Sequence, residues 1–282
     1  MQPAKAPTIS AHGAVMPVVG YGTMLFPEPD RAAALIAHAI DCGYRHIDTA
    51  RKYGSEQWVG EGIRASGIAR EALFVTTKVT EENAREADFA RSVDTSLETL
   101  GLDYVDLLLI HWPQPRVPLV ETLGALARAK RAGLARHIGL SNFTVGLIEE
   151  AVAVCPEPLV TNQIEYHAYI RQDKVLAACA RHGLIVTCHV PLARGKLLDD
   201  PVICEIAAAH GRSSAQIALR WLIQQPQIAV VPRALKLSEI EENIALFDFT
   251  LSDEEMGRIG ALRDKNMRVV DPAVRRPVWD IG

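Results

Sequence analysis

The chain has 282 residues and a formal net charge of −4, from 30 Lys and Arg against 34 Asp and Glu. With 49% hydrophobic and 23% charged residues it has the balance of an ordinary globular chain, which excludes disorder, collagen-like sequence and a disulfide-stapled miniprotein. The mild negative charge supplies no field to hold a phosphate backbone, so no nucleic-acid partner is expected. Five scattered cysteines without a CxxC pair fit reduced thiols, and the opening Met1-Gln-Pro-Ala-Lys-Ala-Pro lacks the apolar run of a signal peptide. No apolar stretch approaches the ~18 residues that span a bilayer. The expectation is a cytoplasmic protein, monomeric and without a membrane partner.

In chain order, short aliphatic or β-branched runs predict strands at Val18–Gly22, Arg45–Asp48, Phe74–Lys78, Leu107–His111, His137–Ser141, Val160–Gln163, Ile185–His189 and Ala229–Pro232. Amphipathic segments with start and stop signals lie between them. Asp30 is expected to cap a helix that runs through Ile40 and ends at Gly43, and Asp200-Pro201 to open one that stops before Gly211. Ser213-x-x-Gln216, Ser238-x-x-Glu241 and Ser252-x-x-Glu255 each match a capping box. Eight strand signals separated by helices favour an α/β fold, a closed (β/α)8 TIM barrel spanning 1–282 as a single domain. Residues 1–17 would be a lead-in and 264–282 a tail over the barrel mouth. An open doubly wound sheet is the runner-up, but Gly20-Tyr-Gly22 lacks a third glycine and precedes no immediate helix.

A barrel gathers the C-terminal ends of its strands at one mouth. Here those ends carry groups that are expensive to bury: Asp48, Lys78 and His111, with Tyr53 five residues past Asp48. Taken singly, Asp48 reads as a turn cap, Lys78 as a rim lysine, His111 as a core histidine and Tyr53 as a packed aromatic. Together they would be a costly filling for a rim. They do suit one chemistry. A phenol is a reluctant acid, a nearby ammonium can lower its pKa by ~1–3 units, and a carboxylate keeps that ammonium charged when buried. An imidazole beside the phenol can orient a carbonyl oxygen. Such a set would deliver a proton to a carbonyl oxygen as its carbon receives hydride.

These residues stand in segments that resemble the aldo-keto reductase family from Met16-Pro17 to Trp279-Asp280. The segments are Gly-Tyr-Arg-His-Ile-Asp48-Thr-Ala-Arg-Lys-Tyr53-Gly-Ser-Glu, Phe-Val-Thr-Thr-Lys78, Ile-His111-Trp-Pro, Ile-Gly-Leu-Ser141-Asn142-Phe and Thr-Asn-Gln163-Ile-Glu-Tyr. Within the family the chain is most similar to the bacterial 2,5-diketogluconate reductase B type, through the short segment after Trp112 and the ending Pro277-Val-Trp-Asp280. The resemblance implies a nicotinamide cofactor and a catalytic tetrad of Asp48, Tyr53, Lys78 and His111, with Tyr53 the proton donor. It places Ser141, Asn142 and Gln163 on the nicotinamide carboxamide, and Gly22 and Thr23 beside the ring. Leu192, Arg194 and Gly195 fall on the pyrophosphate loop. His189 stands where the family commonly has an aromatic, so cofactor binding is expected to be weaker or pH-sensitive.

At the adenosine end the resemblance points to Arg233, Glu239, Glu242 and Asn243. Glu239 replaces the arginine of NADPH-selective members, which leaves NADH open. NADPH is favoured from the family, with Arg233 and Lys236 as compensating cations. Glu239 also suits the first turn after a Ser238 cap. Substrate contacts are expected from Met24, Phe26, Trp112 and Trp279. Thr80 in place of a frequent tryptophan should open the mouth to small oxo-sugars, keto-sugar acids and dicarbonyls. Arg275 and Arg276 are candidates for a substrate carboxylate. No metal is expected, since His137, His167, His182 and Cys179 lack a ligand pattern. A nicotinamide-binding regulatory barrel with little turnover is the alternative function.

Overall fold

The computed structural model describes residues 6–24, 26 and 29–280. An antiparallel hairpin comes first, β1 (Thr8–Ala11) and β2 (Ala14–Pro17). Eight strands then run parallel in one sheet, each bonded to the next in chain order: β3 (Tyr21–Gly22), β4 (His46–Asp48), β5 (Phe74–Val79), β6 (Val105–Ile110), β7 (Ala135–Ser141), β8 (Leu159–Glu165), β9 (Ile185–His189) and β10 (Ile228–Val230). The sheet closes on itself. Val19 bridges Val230 in parallel, Gly20 N–H donates to Val230 O at 2.8 Å, and Gly22 N–H donates to Pro232 O at 2.9 Å. The helices are α1 (Pro29–Asp41), α2 (Glu56–Ser66), α3 (Glu86–Leu100), α4 (Leu119–Arg131), α5 (Val145–Val154), α6 (Asp173–Arg181), α7 (Pro201–His210), α8 (Ser214–Ile223), α9 (Leu237–Ile244) and α10 (Asp253–Ala261). This is a (β/α)8 barrel.

Strand alternation sends successive side chains to opposite faces. Leu108 therefore packs with the main core, which includes helical residues such as Leu97 and Leu126, while Leu107 and Leu109 belong to a second cluster with Phe74, Val160, Ile185 and Ala229. The hairpin contributes Ala11, Ala14 and Met16 to that second cluster, closing the lower end of the barrel. Its two-residue turn, His12-Gly13, holds both residues at positive φ (47° and 87°), as a tight hairpin requires. The tail bonds back to the barrel, with Met267 N–H on Tyr169 O at 2.7 Å and Asp280 accepting from Val145 N–H at 2.9 Å.

Most expected boundaries lie within a few residues of the observed ones. Asp200 caps α7 and Gly211 ends it; Ser213 and Ser252 form capping boxes with Gln216 and Glu255. Ser238 does not. α9 begins at Leu237, one residue earlier, so Ser238 lies inside the first turn and the expected cap is absent. Glu239 lies in the same turn and reaches back past the helix start, its Oε2 accepting from Leu235 N–H at 3.2 Å. α1 begins at Pro29, and the role expected of the Asp30 side chain lies outside the described residues.

Candidate active site

Counting in twos along the barrel strands explains the tetrad. Phe74, Thr76 and Lys78 alternate inward on β5, His46 and Asp48 on β4, and Leu107 and Leu109 lead to His111 after β6. Below the mouth these inward positions hold apolar Phe74, Leu107 and Leu109 together with His46 and Thr76, which bond each other; at the C-terminal ends they hold Asp48, Lys78 and His111. Tyr53 arrives on a short 3-10 turn, Arg51–Tyr53, that follows β4 and ends at Gly54 with φ 67°.

Lys78 is wholly buried and has three partners. Its Nζ donates to Asp48 Oδ1 at 2.6 Å, to Thr49 O at 2.8 Å and to Tyr53 Oη at 3.4 Å. The second Asp48 oxygen accepts from Gln163 Nε2 at 2.7 Å, across the barrel from β8. Burial pushes the Lys78 pKa down, but Asp48 and Tyr53 more than reverse that and leave it raised. The Tyr53 hydroxyl is also raised: burial pushes it up, the ammonium pulls it down, and Asp48 pushes it up again. The acidification expected from Lys78 is thus outweighed by burial, and Tyr53 is a protonated phenol at neutral pH. His111, 7% exposed, packs edge-on to Tyr53 with centroids 5.6 Å apart. Burial holds its pKa well below the usual value, and Lys78, His189, Arg275 and Lys52 all push the same way. It is a neutral imidazole.

A cleft of about 850 Å³ opens over this group and runs to α9. Asp48, Tyr53, His111, Met24 and Trp112 line one end. Gly22, Thr23, Asn142, Gln163, His189, Leu192, Arg194 and Gly195 follow, then Arg233, Glu239, Glu242 and Asn243. Lys78 and Ser141 sit behind the wall. Asn142 has φ 63°, and its amide is held on both sides: Nδ2 donates to His111 O and Ser141 Oγ, and Oδ1 pairs with His189 Nε2 at 2.9 Å. His189 has its pKa lowered to about 4, burial being the main cause, so it is neutral near pH 7 and the expected pH sensitivity is displaced to acid conditions. Gly22 answers to the barrel itself. A Cβ there would meet Val231 O at 2.7 Å, across the closing seam.

Past β9 the loop is strained. Val190, Ala193 and Arg194 adopt φ of 53°, 47° and 56°, a region costly for a β-branched valine. Two guanidinium groups, Arg194 and Arg233, line the cleft together with the amide side chains of Asn142, Gln163 and Asn243, and a guanidinium can meet a phosphate through two parallel hydrogen bonds. The donor set fits a nicotinamide dinucleotide.

Other expected residues lie elsewhere. Trp279 is outside the cleft wall and packs edge-on against Trp112, centroids 6.0 Å apart. Phe26 packs near Tyr21 at 6.4 Å. Thr80 is buried, does not line the cleft, and accepts from Asn83 Nδ2 at 3.1 Å. Lys236 pairs with Glu239 at 3.2 Å, and Arg276 pairs with Asp271. Lys52 and Val270 line the cleft and carried no signal that singled them out; Lys52 reads as a surface lysine in a turn. Away from the cleft, His38, Cys42 and Glu241 bring one donor each within 4.8 Å of one another, a grouping unrelated to the four residues weighed for zinc.

The barrel, the buried lysine–carboxylate pair and the adjoining phenol and imidazole define a carbonyl-reducing oxidoreductase. The sequence profile of the aldo/keto reductase family matches residues 18–264, and the chain belongs to that family of NAD(P)H-dependent enzymes. It is 41% identical over 268 residues to the methylglyoxal reductase DkgB of Escherichia coli O157:H7, covering 94% of this chain and 99% of that one. It is 40% identical to the aldo-keto reductase Rv2971 of Mycobacterium tuberculosis (strain ATCC 25618 / H37Rv) over 271 residues, 95% of each chain. A crystal structure assigned as a 2,5-diketo-D-gluconic acid reductase B superposes with a TM-score of 0.95 at 43% identity, covering 98% of both chains. The Bombyx mori aldo-keto reductase in complex with NADP gives 0.89 at 35% identity, covering 95% of this chain and 96% of that one. No helix among the described residues is long and apolar enough to cross a membrane.

Proposed function

We propose that the chain reduces a small oxo-sugar, keto-sugar acid or dicarbonyl, of the 2,5-diketogluconate or methylglyoxal kind, with NADPH favoured. The reduced nicotinamide supplies hydride to the carbonyl carbon when bound. The side chains do the rest. His111, neutral, holds the carbonyl oxygen by a hydrogen bond beside Tyr53. The Tyr53 O–H bond breaks as its proton moves to that oxygen, and Lys78 stabilises the tyrosinate left behind. Asp48 keeps Lys78 charged throughout. The observation that carries this reading is the Lys78 ammonium bonded at once to Asp48 at 2.6 Å and Tyr53 at 3.4 Å.

The same reading gives Ser141, Asn142 and Gln163 the nicotinamide carboxamide, Gly22, Thr23 and His189 the ring, and Leu192 and Arg194 the pyrophosphate. Arg233, Glu239, Glu242 and Asn243 take the adenosine end, and residues 264–280 wall the substrate side. Glu239 faces that end as an anion, its pKa lowered, burial opposing and the Leu235 N–H and Lys236 favouring the charge. Glu239→Arg is expected to tighten NADPH about tenfold and leave NADH little changed, read by quenching of protein fluorescence. Five free cysteines support a reducing compartment, here taken as the cytoplasm.

The deciding experiment pairs turnover with binding. Wild type should oxidise NADPH on adding methylglyoxal or a keto-sugar acid, and Tyr53→Phe should lose at least about a thousandfold in kcat while binding NADPH normally. Tight binding without turnover over a broad carbonyl panel would instead support a regulatory barrel.

A further inference from the structure

The wall beside Tyr53 and His111 carries two cations that carbonyl reduction does not use. Lys52 directly precedes Tyr53, Arg275 reaches in from the tail, and both line the cleft. Glu81 holds them from behind. It opens the short turn after β5, three residues past Lys78, and is only 8% exposed. Its Oε1 accepts from Lys52 Nζ at 3.1 Å and from Arg275 Nη1 at 3.2 Å. Lys52 also reaches Glu82 at 2.7 Å. The two cationic side chains stay 34% and 26% exposed, and the Arg275 guanidinium lies 5.4 Å from the Trp112 ring centroid.

Glu81 and Glu82 pair with the two cations and offset their charge, but neither lines the cleft. Of the carboxylates that do line it, Asp48 is spent on Lys78 and Gln163, and Glu239 and Glu242 sit at the α9 end. We propose that Lys52 and Arg275 form a carboxylate subsite, so that the enzyme prefers oxo acids to neutral aldehydes and dicarbonyls. This rests on the carbonyl-reductase reading: the carbonyl sits at Tyr53 and His111 and the acid group at the two cations. Arg275 offers a fork for two carboxylate oxygens and Lys52 a point charge. Glu81 fixes both before the substrate arrives, which lowers the ordering cost of binding. Of the two tail arginines, the structure singles out Arg275, because Arg276 is paired with Asp271 outside the cleft wall.

Matched substrates test this: succinic semialdehyde against butyraldehyde, and 4-carboxybenzaldehyde against its methyl ester, each with NADPH. In the parent enzyme kcat/KM for the acid should exceed that of its neutral match by about tenfold or more. Lys52→Met and Arg275→Met should each cut that ratio about five- to tenfold, chiefly through KM for the acid. Lys52→Arg should keep most of it, and Arg276→Met all of it. Raising ionic strength should erode the ratio by weakening only the acids. A parent ratio near one, or equal losses for acid and neutral in both methionine variants, overturns the subsite and leaves the reductase standing. Failure to turn over any of the four carbonyls overturns the reading beneath it.

Discussion

Asp48 spends both oxygens on partners inside the barrel, one on Lys78 and one on Gln163, and is 2% exposed. A buried ion pair of this kind stabilises little relative to an apolar pair, but removing one partner leaves an uncompensated charge. Asp48→Asn is therefore expected to cost about 3–5 kcal/mol of stability, measured by urea unfolding, and to abolish turnover as Lys78 loses its proton. Lys78→Met in the same background should recover much of the stability and none of the activity. A single-variant loss below about 1 kcal/mol would show that the ammonium is satisfied without Asp48.

At the scale of elements, the two kinds of serine separate cleanly. Ser252 accepts from Glu255 N–H at 3.3 Å and Glu255 returns the bond to Ser252 N–H at 2.7 Å, whereas α9 takes no cap from Ser238. Ser252→Ala should cost about 1 kcal/mol and Ser238→Ala no more than about 0.5 kcal/mol, by thermal or urea denaturation. The motif spelled both serines alike; where the backbone first turns helical decided between them. The barrel strands were readable because burial on both faces leaves an almost unbroken apolar run, and the tetrad because Asp48, Lys78 and His111 interrupt such runs at their ends. The hairpin β1–β2 was missed, although Ile9, Ala11 and Met16 flank a His12-Gly13 turn, since a lead-in of four-residue strands is too short for periodicity to speak. Lys52 was invisible for a different reason. Its ammonium is held by Glu81, 29 residues on, which also holds Arg275, 223 residues from Lys52, and no local pattern encodes that meeting.

For the molecule as a whole, His46 ties stability to pH. Its ring is fully buried below Asp48, with Nε2 on Thr76 Oγ1 at 3.0 Å and the ring edge against Phe74. Burial lowers its pKa to about 4, Lys78 adding to the effect and Asp48 opposing it. The unfolded chain takes up this proton near pH 6.5 and the folded chain does not. Stability should therefore fall as pH drops from about 6.5 towards 4, by about 1.4 kcal/mol per unit from this residue. Urea midpoints at pH 7.5, 6 and 5 give the slope, and it should flatten in His46→Gln. An unchanged slope in that variant would assign the effect to other groups.

The seam between Val19 and Val230 has a consequence for how the molecule is made. Neighbouring strands elsewhere in the sheet are consecutive in the chain, yet this last ladder joins its two ends. During translation the first barrel strand must wait for almost the entire polypeptide before its free edge finds a mate. Until then the nascent chain presents an unsatisfied backbone row to its surroundings, so synthesis at high density should favour entanglement between neighbours, and slowing the ribosome near residue 230 should prolong that exposure.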